Sequence, residues 1–293
     1  MTDALQEART LLQQLVDGAR DGSLTPARLA GQLEQVERLI ANTQDNGAQA
    51  SAASTPALDE QAFLQEQAYF VSHAIHELRT PLTSIRGYAD MLGQPALGPL
   101  SDMQRQFVDT IRSNSRRMEG LLTDVSDMAK IKGGTLRLNI KMDTFKNIAM
   151  MIEKNTRPLA ESLNKSLEFE IPSGLPLLQV DGDLLAKAFT KLVENGLRYT
   201  PEDGGKVTVE AENRANTLVV RVRDNGIGMS PEELARLGTV YFRSENEQVR
   251  VHKGSGLGIP IAYGIIQLLG GTVEVESARG AGTTFTVSLP GMN

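Results

Sequence analysis

The chain has 293 residues, of which 40% are hydrophobic and 23% charged, and its formal net charge is −6 at pH 7. This length exceeds one ordinary domain, and this composition excludes wholesale disorder and a bundle of membrane helices. The acidic balance, without a long run of Lys and Arg, argues against nucleic acid as the main partner because binding to a phosphate backbone needs a basic face.

The chain contains no cysteine, which excludes disulfides, thiolate catalysis and cysteine-based zinc sites. Residues 1–30 lack a basic start followed by an apolar core, and no stretch reaches the ~18 apolar residues that a spanning helix needs. We therefore expect no membrane contact within this chain. A cytoplasmic location fits the absence of cysteine.

The first 43 residues show two helical patterns. Apolar residues recur at helical spacing over residues 3–19 and 26–41, and Thr25 and Pro26 between them supply an N-cap and a first helical position. We predict a helical hairpin over residues 1–43, which fits an extra packing or dimer contact better than a ligand sensor because two helices enclose little volume. Residues 44–57, rich in Ala, Ser, Gln and Asn, predict a flexible linker.

Residues 58–132 carry two long helical patterns, each with one apolar stripe. In the first helix the apolar residues are spaced by four and three in alternation, which is a heptad seam. The seam consists of Val71, Ile75, Leu78, Leu82, Ile85, Ala89 and Leu92. A second helix is predicted from about Ser101 to Lys130. Pairing two copies buries both stripes, so this segment predicts a homodimer with a four-helix bundle.

Beyond residue 133 the period of the pattern changes. Helices are predicted at residues 143–163, 182–198 and 256–269, and strands at residues 136–140, 167–171, 206–212, 217–224, 272–277 and 283–289. This mixed order of helices and mostly antiparallel strands predicts an α+β sandwich, with one sheet covered by helices on one face.

The string His76-Glu77-Leu78-Arg79-Thr80-Pro81-Leu82 lies on the first heptad helix. His76 follows the seam residue Ile75, so its ring lies beside the apolar stripe and stays reachable from solvent. Pro81 has no N–H, and its ring crowds the carbonyl of Glu77, which predicts a bend near His76.

The same string offers groups that can assist an imidazole nucleophile. Glu77 can accept the imidazole proton, and Thr80 can hold a water for the reverse hydrolysis. The alternative for an isolated histidine is a surface residue of a coiled coil, and this is our interpretation of His73.

Two polar residues stand at the edges of apolar patterns. Asn195 falls near the edge of the apolar face of helix 182–198, where a neutral amide can coordinate Mg²⁺ without bringing a full charge into the core. Asp224 ends an alternating strand on its buried side and needs a donor, for which the exocyclic amine of adenine is suitable. Gly226 and Gly228 permit the close approach of a flat base. The alternatives are an Asn that bonds local backbone and a common Asp-x-Gly turn.

The segment Lys253-Gly254-Ser255-Gly256-Leu257-Gly258 opens directly into a predicted helix. Backbone N–H groups at a helix start attract phosphate, and Lys253 adds positive charge. The segment matches neither the P-loop nor the Rossmann pattern, so a plain linker is the alternative. The turn at residues 280–285 is either a plain hairpin or a nucleotide contact.

Taken in order, these segments resemble the H, N, G1 and G2 boxes of sensor histidine kinases, with Tyr241-Phe242-Arg243 resembling the F box. The resemblance covers residues from about 58 to 290, and its second half is similar to the Bergerat fold of gyrase and mismatch-repair ATPases. It implies a dimerisation and phosphotransfer domain over residues 58–132. It also implies a catalytic ATP-binding domain over residues 133–293.

The resemblance implies roles for individual residues. His76 would be the phospho-acceptor, Glu77 the assisting base and Thr80 the residue that supports phosphatase activity. Asn195 would hold Mg²⁺, and Asp224 would bind adenine. The other expected nucleotide contacts are Arg198, Tyr199, Gly226, Gly228, Lys253, Gly254, Gly256, Leu257 and Gly258. A mobile lid is expected from about Ser230 to Lys253.

Two positions depart from the family pattern. The family usually has another Asn four residues before Asn195, where this chain has Lys191. A Lys there can contact phosphate directly or can weaken Mg²⁺ binding by like charge. The F box has Gly238, Thr239 and Val240 where a Phe and a Pro are common, so we expect different packing of the lid.

These implications predict an ATP-dependent protein-histidine kinase that phosphorylates its own His76. The phosphoryl group would then pass to an aspartate in the receiver domain of a response regulator. ATP and Mg²⁺ are the expected cofactors. The alternatives are a nucleotide-binding scaffold whose turnover Lys191 has weakened, and a protein that mainly dephosphorylates its partner through Thr80.

Overall fold

The computed structural model describes residues 10, 14, 57–94, 98–251 and 254–292, with the backbone alone for residues 57–60. The chain divides into two compact units between Thr135 and Leu136. The predicted hairpin at 1–43, apart from residues 10 and 14, and the predicted linker at 44–57, apart from the backbone of residue 57, lie outside the described residues. Lys253 also lies outside them.

Two long helices, α1 (Ala57–Leu92) and α2 (Asp102–Lys132), make up most of the described part of the first unit. A capping box starts α2, because the Ser101 hydroxyl accepts the N–H of Gln104 and the Gln104 side chain accepts that of Ser101. Four of the seven seam residues of α1 are buried where the two helices pack together: Ile75, Leu78, Leu82 and Ala89.

Other apolar side chains of α1 and α2 remain in contact with solvent. The seam residue Ile85 is 49% exposed, and Tyr88, Met103 and Phe107 are 68%, 66% and 59% exposed. A helical pair of this size leaves much apolar surface open when it packs only on itself.

The described residues of the second unit form five helices and seven strands. The helices are α3 (Phe145–Ser162), α4 (Gly182–Tyr199), α5 (Pro231–Ala235), α6 (Glu247–Arg250) and α7 (Gly258–Leu268). The strands are β1 (Lys141–Thr144), β2 (Ser166–Glu170), β3 (Leu177–Val180), β4 (Lys206–Arg214), β5 (Thr217–Asp224), β6 (Thr272–Ala278) and β7 (Gly282–Pro290).

Five strands form one mixed sheet in the order β2-β4-β5-β7-β6, in which only the β2–β4 pair is parallel. β1 and β3 pair separately as an antiparallel ribbon. The helix α4 packs on both α3 and α7, and all three helices pack on the sheet. The rings of Phe145 and Phe189 join α3 to α4 in an edge-to-face contact with centroids 5.5 Å apart. The predicted α+β class is confirmed.

Most predicted elements begin and end within two residues of the observed ones, with one clear error. The strand predicted at residues 136–140 is wrong, because the observed strand β1 runs from Lys141 to Thr144. The alternating apolar residues at 136–140 have no partner strand among the described residues, since β3 pairs only with Lys141–Thr144. β3 itself was not predicted, because four residues give too little period to read.

A two-residue turn joins β4 to β5, and both of its residues lie in the left-handed region. Ala215 has φ +47° and Asn216 has φ +66°. Asn tolerates this region because its side chain bonds local backbone, whereas an Ala Cβ crowds its own carbonyl. The Asn216 side chain also donates to the carbonyls of Gly291 and Met292, which ties the C-terminal residues to this turn.

We expect the substitution Ala215→Asn to stabilise the protein by about 0.5–1 kcal/mol, because Ala215 is exposed and only its backbone is unfavourable. Urea denaturation should show a higher midpoint at an unchanged slope. Asn216→Ala should lower the midpoint, since it loses both the left-handed preference and the bonds to the C-terminal residues. A lower midpoint for Ala215→Asn would contradict this account of the turn.

Candidate functional site

His76 is displayed on the surface of α1. Its side chain is exposed, while Ile75 and Leu78 on either side of it are buried. The helix continues through Pro81 to Leu92. An exposed imidazole on a rigid helix is available to a reactant that arrives from solvent.

The hydroxyl of Thr80 lies against the backbone of the same helix. It donates to the carbonyl of His76 at 3.4 Å, and the Ser84 hydroxyl donates to the carbonyl of Thr80 at 3.3 Å. Glu77, which we predicted as the assisting base, is half-buried beside His76. These residues therefore share one exposed region of α1.

The second cluster is built on α4. The Asp181 carboxylate caps the start of this helix by accepting the N–H of Leu184 at 3.0 Å. One face of the helix, which carries Phe189 and Leu192, is buried. The residues that we singled out on α4 are half-buried at the edge of this face: Lys191, Asn195, Arg198 and Tyr199. Glu194 beside them is half-buried as well. Glu194 and Arg198 lie 3.9 Å apart as an ion pair one turn apart.

Glycine at position 196 brings α4 against the end of β5. A Cβ added to Gly196 would lie 3.1 Å from Val207 and 3.3 Å from the Cβ of Asp224. Even a methyl group at this position would require Val207 and Asp224 to shift by a few tenths of an ångström. The predicted residues Asn195 and Asp224 belong to these two touching elements.

Asp224 is 9% exposed and lies at the last position of β5. Its Oδ1 atom accepts the N–H groups of Gly226 at 2.8 Å and of Thr283 at 3.1 Å. Burial raises the pKa of this carboxyl to about 6, although both hydrogen bonds oppose the shift. Within the described part of the chain, hydrogen bonds reach Oδ1, and Oδ2 faces the side of Gly196.

The glycines after Asp224 are required by close contacts within the protein. A Cβ on Gly226 would lie 2.6 Å from the carbonyl oxygen of Tyr199, and one on Gly228 would lie 1.9 Å from that of Ala278. Gly228 also has φ +61°. Backbone carbonyls of the protein therefore require glycine at both positions, and the contact with a flat base remains a prediction.

Lys165 holds the end of α4 and was not predicted from the sequence. Its ammonium donates to the carbonyls of Leu197 at 2.6 Å and Thr200 at 2.7 Å. Burial lowers the pKa of Lys165. A cation at the C-terminus of a helix is favourable, but no local pattern announces a lysine 32 residues away in sequence from the carbonyl that it binds.

The glycine-rich segment lies at the start of α7. Gly256 has φ +72°, and a Cβ there would lie 2.8 Å from the backbone of Tyr241. Leu257 is buried, Gly254 is exposed, and Gly258 is the first residue of α7. No side chain among the described residues caps this helix. The segment is therefore held against the F box by backbone contact.

The predicted lid segment is anchored at several points. The Arg236 guanidinium lies 4.5 Å from the ring centroid of Phe242, and Arg243 donates to the carbonyl of Val249 at 3.0 Å. A Cβ on Gly238 would lie 2.9 Å from the ring of Tyr263 on α7. Burial raises the pKa of Tyr263 to about 12. Gly238 therefore lets this segment pack directly on α7, at a place where the family commonly has a larger residue.

In the part of the chain that is described, no three His, Cys, Asp or Glu side chains come together as metal ligands. Over the same residues, no helix has both the length and the apolar character needed to cross a membrane.

Comparison with known proteins finds a family match in each unit. Residues 66–134 match the His Kinase A (phospho-acceptor) domain, and residues 180–292 match the histidine kinase-, DNA gyrase B- and HSP90-like ATPase family. Histidine protein kinase DivJ of Caulobacter vibrioides is 34% identical over 233 residues, covering 80% of this chain and 39% of that protein. The non-motile and phage-resistance protein of the same organism is 31% identical over 226 residues, covering 75% of this chain and 27% of that protein.

The crystal structure of full-length ShkA in complex with AMPPNP has the same fold. It superposes with a TM-score of 0.66 at 23% identity, covering 78% of this chain and 46% of ShkA. The chain thus spans less than half the length of each of these relatives. With a phospho-acceptor domain in its first unit and a histidine kinase-type ATPase domain in its second, the chain belongs to the sensor histidine kinase family.

Proposed function

We propose that this chain is an ATP-dependent protein-histidine kinase that phosphorylates its own His76 and donates the phosphoryl group to a response regulator. The observation that carries the proposal is the buried carboxyl of Asp224, which has one oxygen engaged and lies against the polar edge of α4. The same chain displays an exposed histidine on a helix of a phospho-acceptor domain.

Asp224 is the adenine-binding residue in this proposal. With Oδ1 bonded to two backbone N–H groups, Oδ2 is the atom available to accept the exocyclic amine of adenine. The exposed parts of Arg198 and Tyr199 on α4, together with Gly226 and Gly228, form the walls on either side. The membership of the second unit in an ATPase family supports this assignment, and AMPPNP is the ligand of the ShkA structure.

The phosphates are assigned to the segment from Gly254 to Gly258, which leads into the uncapped first turn of α7. Lys253 is assigned there as well, as an added positive charge. Mg²⁺ would neutralise part of the phosphate charge when bound. Asn195 fits such an ion as one neutral oxygen ligand, with water and phosphate oxygens supplying the rest, because no acidic cluster is present among the described residues.

The chemical step that we propose is an in-line attack by one imidazole nitrogen of His76 on the γ-phosphorus. The N–P bond forms while the bond from phosphorus to the β–γ bridging oxygen breaks, and ADP leaves with that electron pair. The proton on the other imidazole nitrogen passes to the Glu77 carboxylate. An aspartate of a receiver domain then attacks the phosphorus, the N–P bond breaks, and the imidazole regains its proton.

Thr80 is assigned to the opposite reaction, the hydrolysis of the phosphorylated regulator. Its hydroxyl is one turn from His76 and exposed, so it can orient a water beside the imidazole. Kinase and phosphatase activities would then share one exposed region of α1.

A homodimer is part of the proposal. The exposed apolar side chains of α1 and α2, among them Tyr88, Met103 and Phe107, support burial against a second copy in a four-helix bundle. We assign residues 58–132 to this dimerisation and phosphotransfer domain and residues 133–293 to the catalytic domain. A cytoplasmic location is included because ATP is supplied there.

The histidine assignment is tested with γ-labelled ATP and the whole chain. We expect the wild type to acquire acid-labile, base-stable label and His76→Gln to acquire none. ATP binding by His76→Gln should match the wild type, because His76 is not part of the proposed nucleotide pocket.

His73 provides a matched control, since it is an exposed histidine three residues earlier on the same helix. His73→Gln should retain the label. Equal label on His76→Gln and the wild type, or no label on the wild type, would contradict the proposal.

The adenine assignment is tested with Asp224→Asn. The amide can keep its oxygen on the N–H groups of Gly226 and Thr283, but its NH₂ then meets the adenine amine with two donors facing each other. We expect ATP to bind at least about tenfold more weakly, as for the loss of one hydrogen bond to a charged group. Unchanged affinity, measured by titration calorimetry, would contradict the assignment.

The same variant tests how the buried carboxyl changes the free energy of unfolding with pH. Because folding raises the pKa of Asp224 from 3.8 to about 6, the folded state binds the proton more tightly, and stability contributed by this group is lost as pH rises from about 4 to 6. Asp224→Asn lacks this loss. Without nucleotide, its stability relative to the wild type should therefore rise by roughly 2–3 kcal/mol across that interval in urea denaturation. A constant difference would show that the carboxyl is not destabilised by burial.

A further inference from the structure

The side chain of Lys191, a residue of α4, lies beside the first residue of α7. A Cβ added to Gly258, the first residue of α7, would lie 3.8 Å from the Cδ atom of the Lys191 side chain. The methylene stem of this half-buried lysine thus runs alongside the glycine-rich segment. The ammonium nitrogen of Lys191 is two bonds beyond this Cδ atom.

The first turn of α7 presents backbone N–H groups to the same region. Its N-cap residue, Leu257, contributes no side-chain oxygen, and the Ser255 hydroxyl accepts the N–H of Leu257 itself at 3.2 Å. A helix start without a side-chain cap favours an anion. A lysine whose stem packs on that start adds a full positive charge to the same place.

Lys191 also stands one helical turn before Asn195, the residue that we assigned to Mg²⁺. Residues four apart on a helix lie on the same face, with Cβ atoms about 6 Å apart. A lysine and a divalent cation at that distance repel each other unless anionic groups lie between them. The phosphate chain of a nucleotide supplies such groups.

We propose that the ammonium of Lys191 binds the phosphate chain of ATP directly, from α4, opposite the glycine-rich segment. A protein cation then carries part of the phosphate charge that Mg²⁺ would otherwise neutralise alone. This inference rests on the proposed function. Contact between Lys191 and the phosphates would make the affinity of this chain for ATP less dependent on Mg²⁺ than the affinity of a variant with Asn at position 191.

The experiment compares the affinities of the whole chain for ATP and for adenosine, by competition against a fluorescent adenine nucleotide, with Mg²⁺ and with EDTA. The variants are Lys191→Met, which removes the charge, and Lys191→Asn, which restores a neutral amide. Lys154→Met is the matched control, since Lys154 is an exposed lysine on α3. Thermal unfolding of each variant without nucleotide establishes that it is folded.

We expect Lys191→Met to bind ATP about 10- to 100-fold more weakly, the loss usual for one contact between charged groups, and to bind adenosine as the wild type does. Lys154→Met should bind both ligands normally. The loss of ATP affinity on replacing Mg²⁺ by EDTA should be larger for Lys191→Asn than for the wild type.

Wild-type affinity of Lys191→Met for ATP would overturn the inference and leave the proposed function intact. Equal losses of ATP and adenosine in both variants would also overturn it, because Lys191 would then shape the pocket rather than bind phosphate. If the wild type binds neither ligand, the proposed function fails, and the inference fails with it.

Discussion

The close approach of α4 to the end of β5 is the contact on which the proposed nucleotide site depends. Gly196 allows it, because a side chain there would meet Val207 and Asp224 at just over 3 Å. The loop after β5 is then tied to the same helix, since the N–H of Ile227 donates to the carbonyl of Tyr199 at 3.1 Å. The polar edge of α4 and the carboxyl of Asp224 thereby come to border one another, which neither element achieves alone.

Two charged groups of the described residues at this contact differ in how they are satisfied. Asp224 is nearly buried and its pKa is raised, so its ionised form is less favourable than that of a carboxyl in water, and a donor at Oδ2 would stabilise it. Lys165, in contrast, has protein partners, because its ammonium donates hydrogen bonds to two carbonyls at the end of α4. The lysine therefore holds the helix in place, while the hydrogen bonds that reach the carboxyl from the described residues are all to Oδ1. A buried acid in this condition is typical of a binding site rather than of a structural ion pair.

The sequence predicted the fold class and most helices and strands, because long apolar periods report directly on burial. It also placed Asp224 on a buried face from the alternation of β5, as observed. It could not predict the ribbon partner β3, which is too short to show a period, or the contact between Lys165 and α4, which joins distant segments. Nor could it predict that Cβ atoms on Gly226 and Gly228 would meet backbone carbonyls, because such contacts depend on the packed tertiary structure.

The most direct test is a crystal structure of the chain with a non-hydrolysable ATP analogue. We predict that the exocyclic amine of adenine lies about 3 Å from Oδ2 of Asp224, with the phosphates against the first turn of α7. This prediction is contradicted if the analogue binds away from α4, or if the Asp224 carboxyl makes no contact with the base while the analogue is bound.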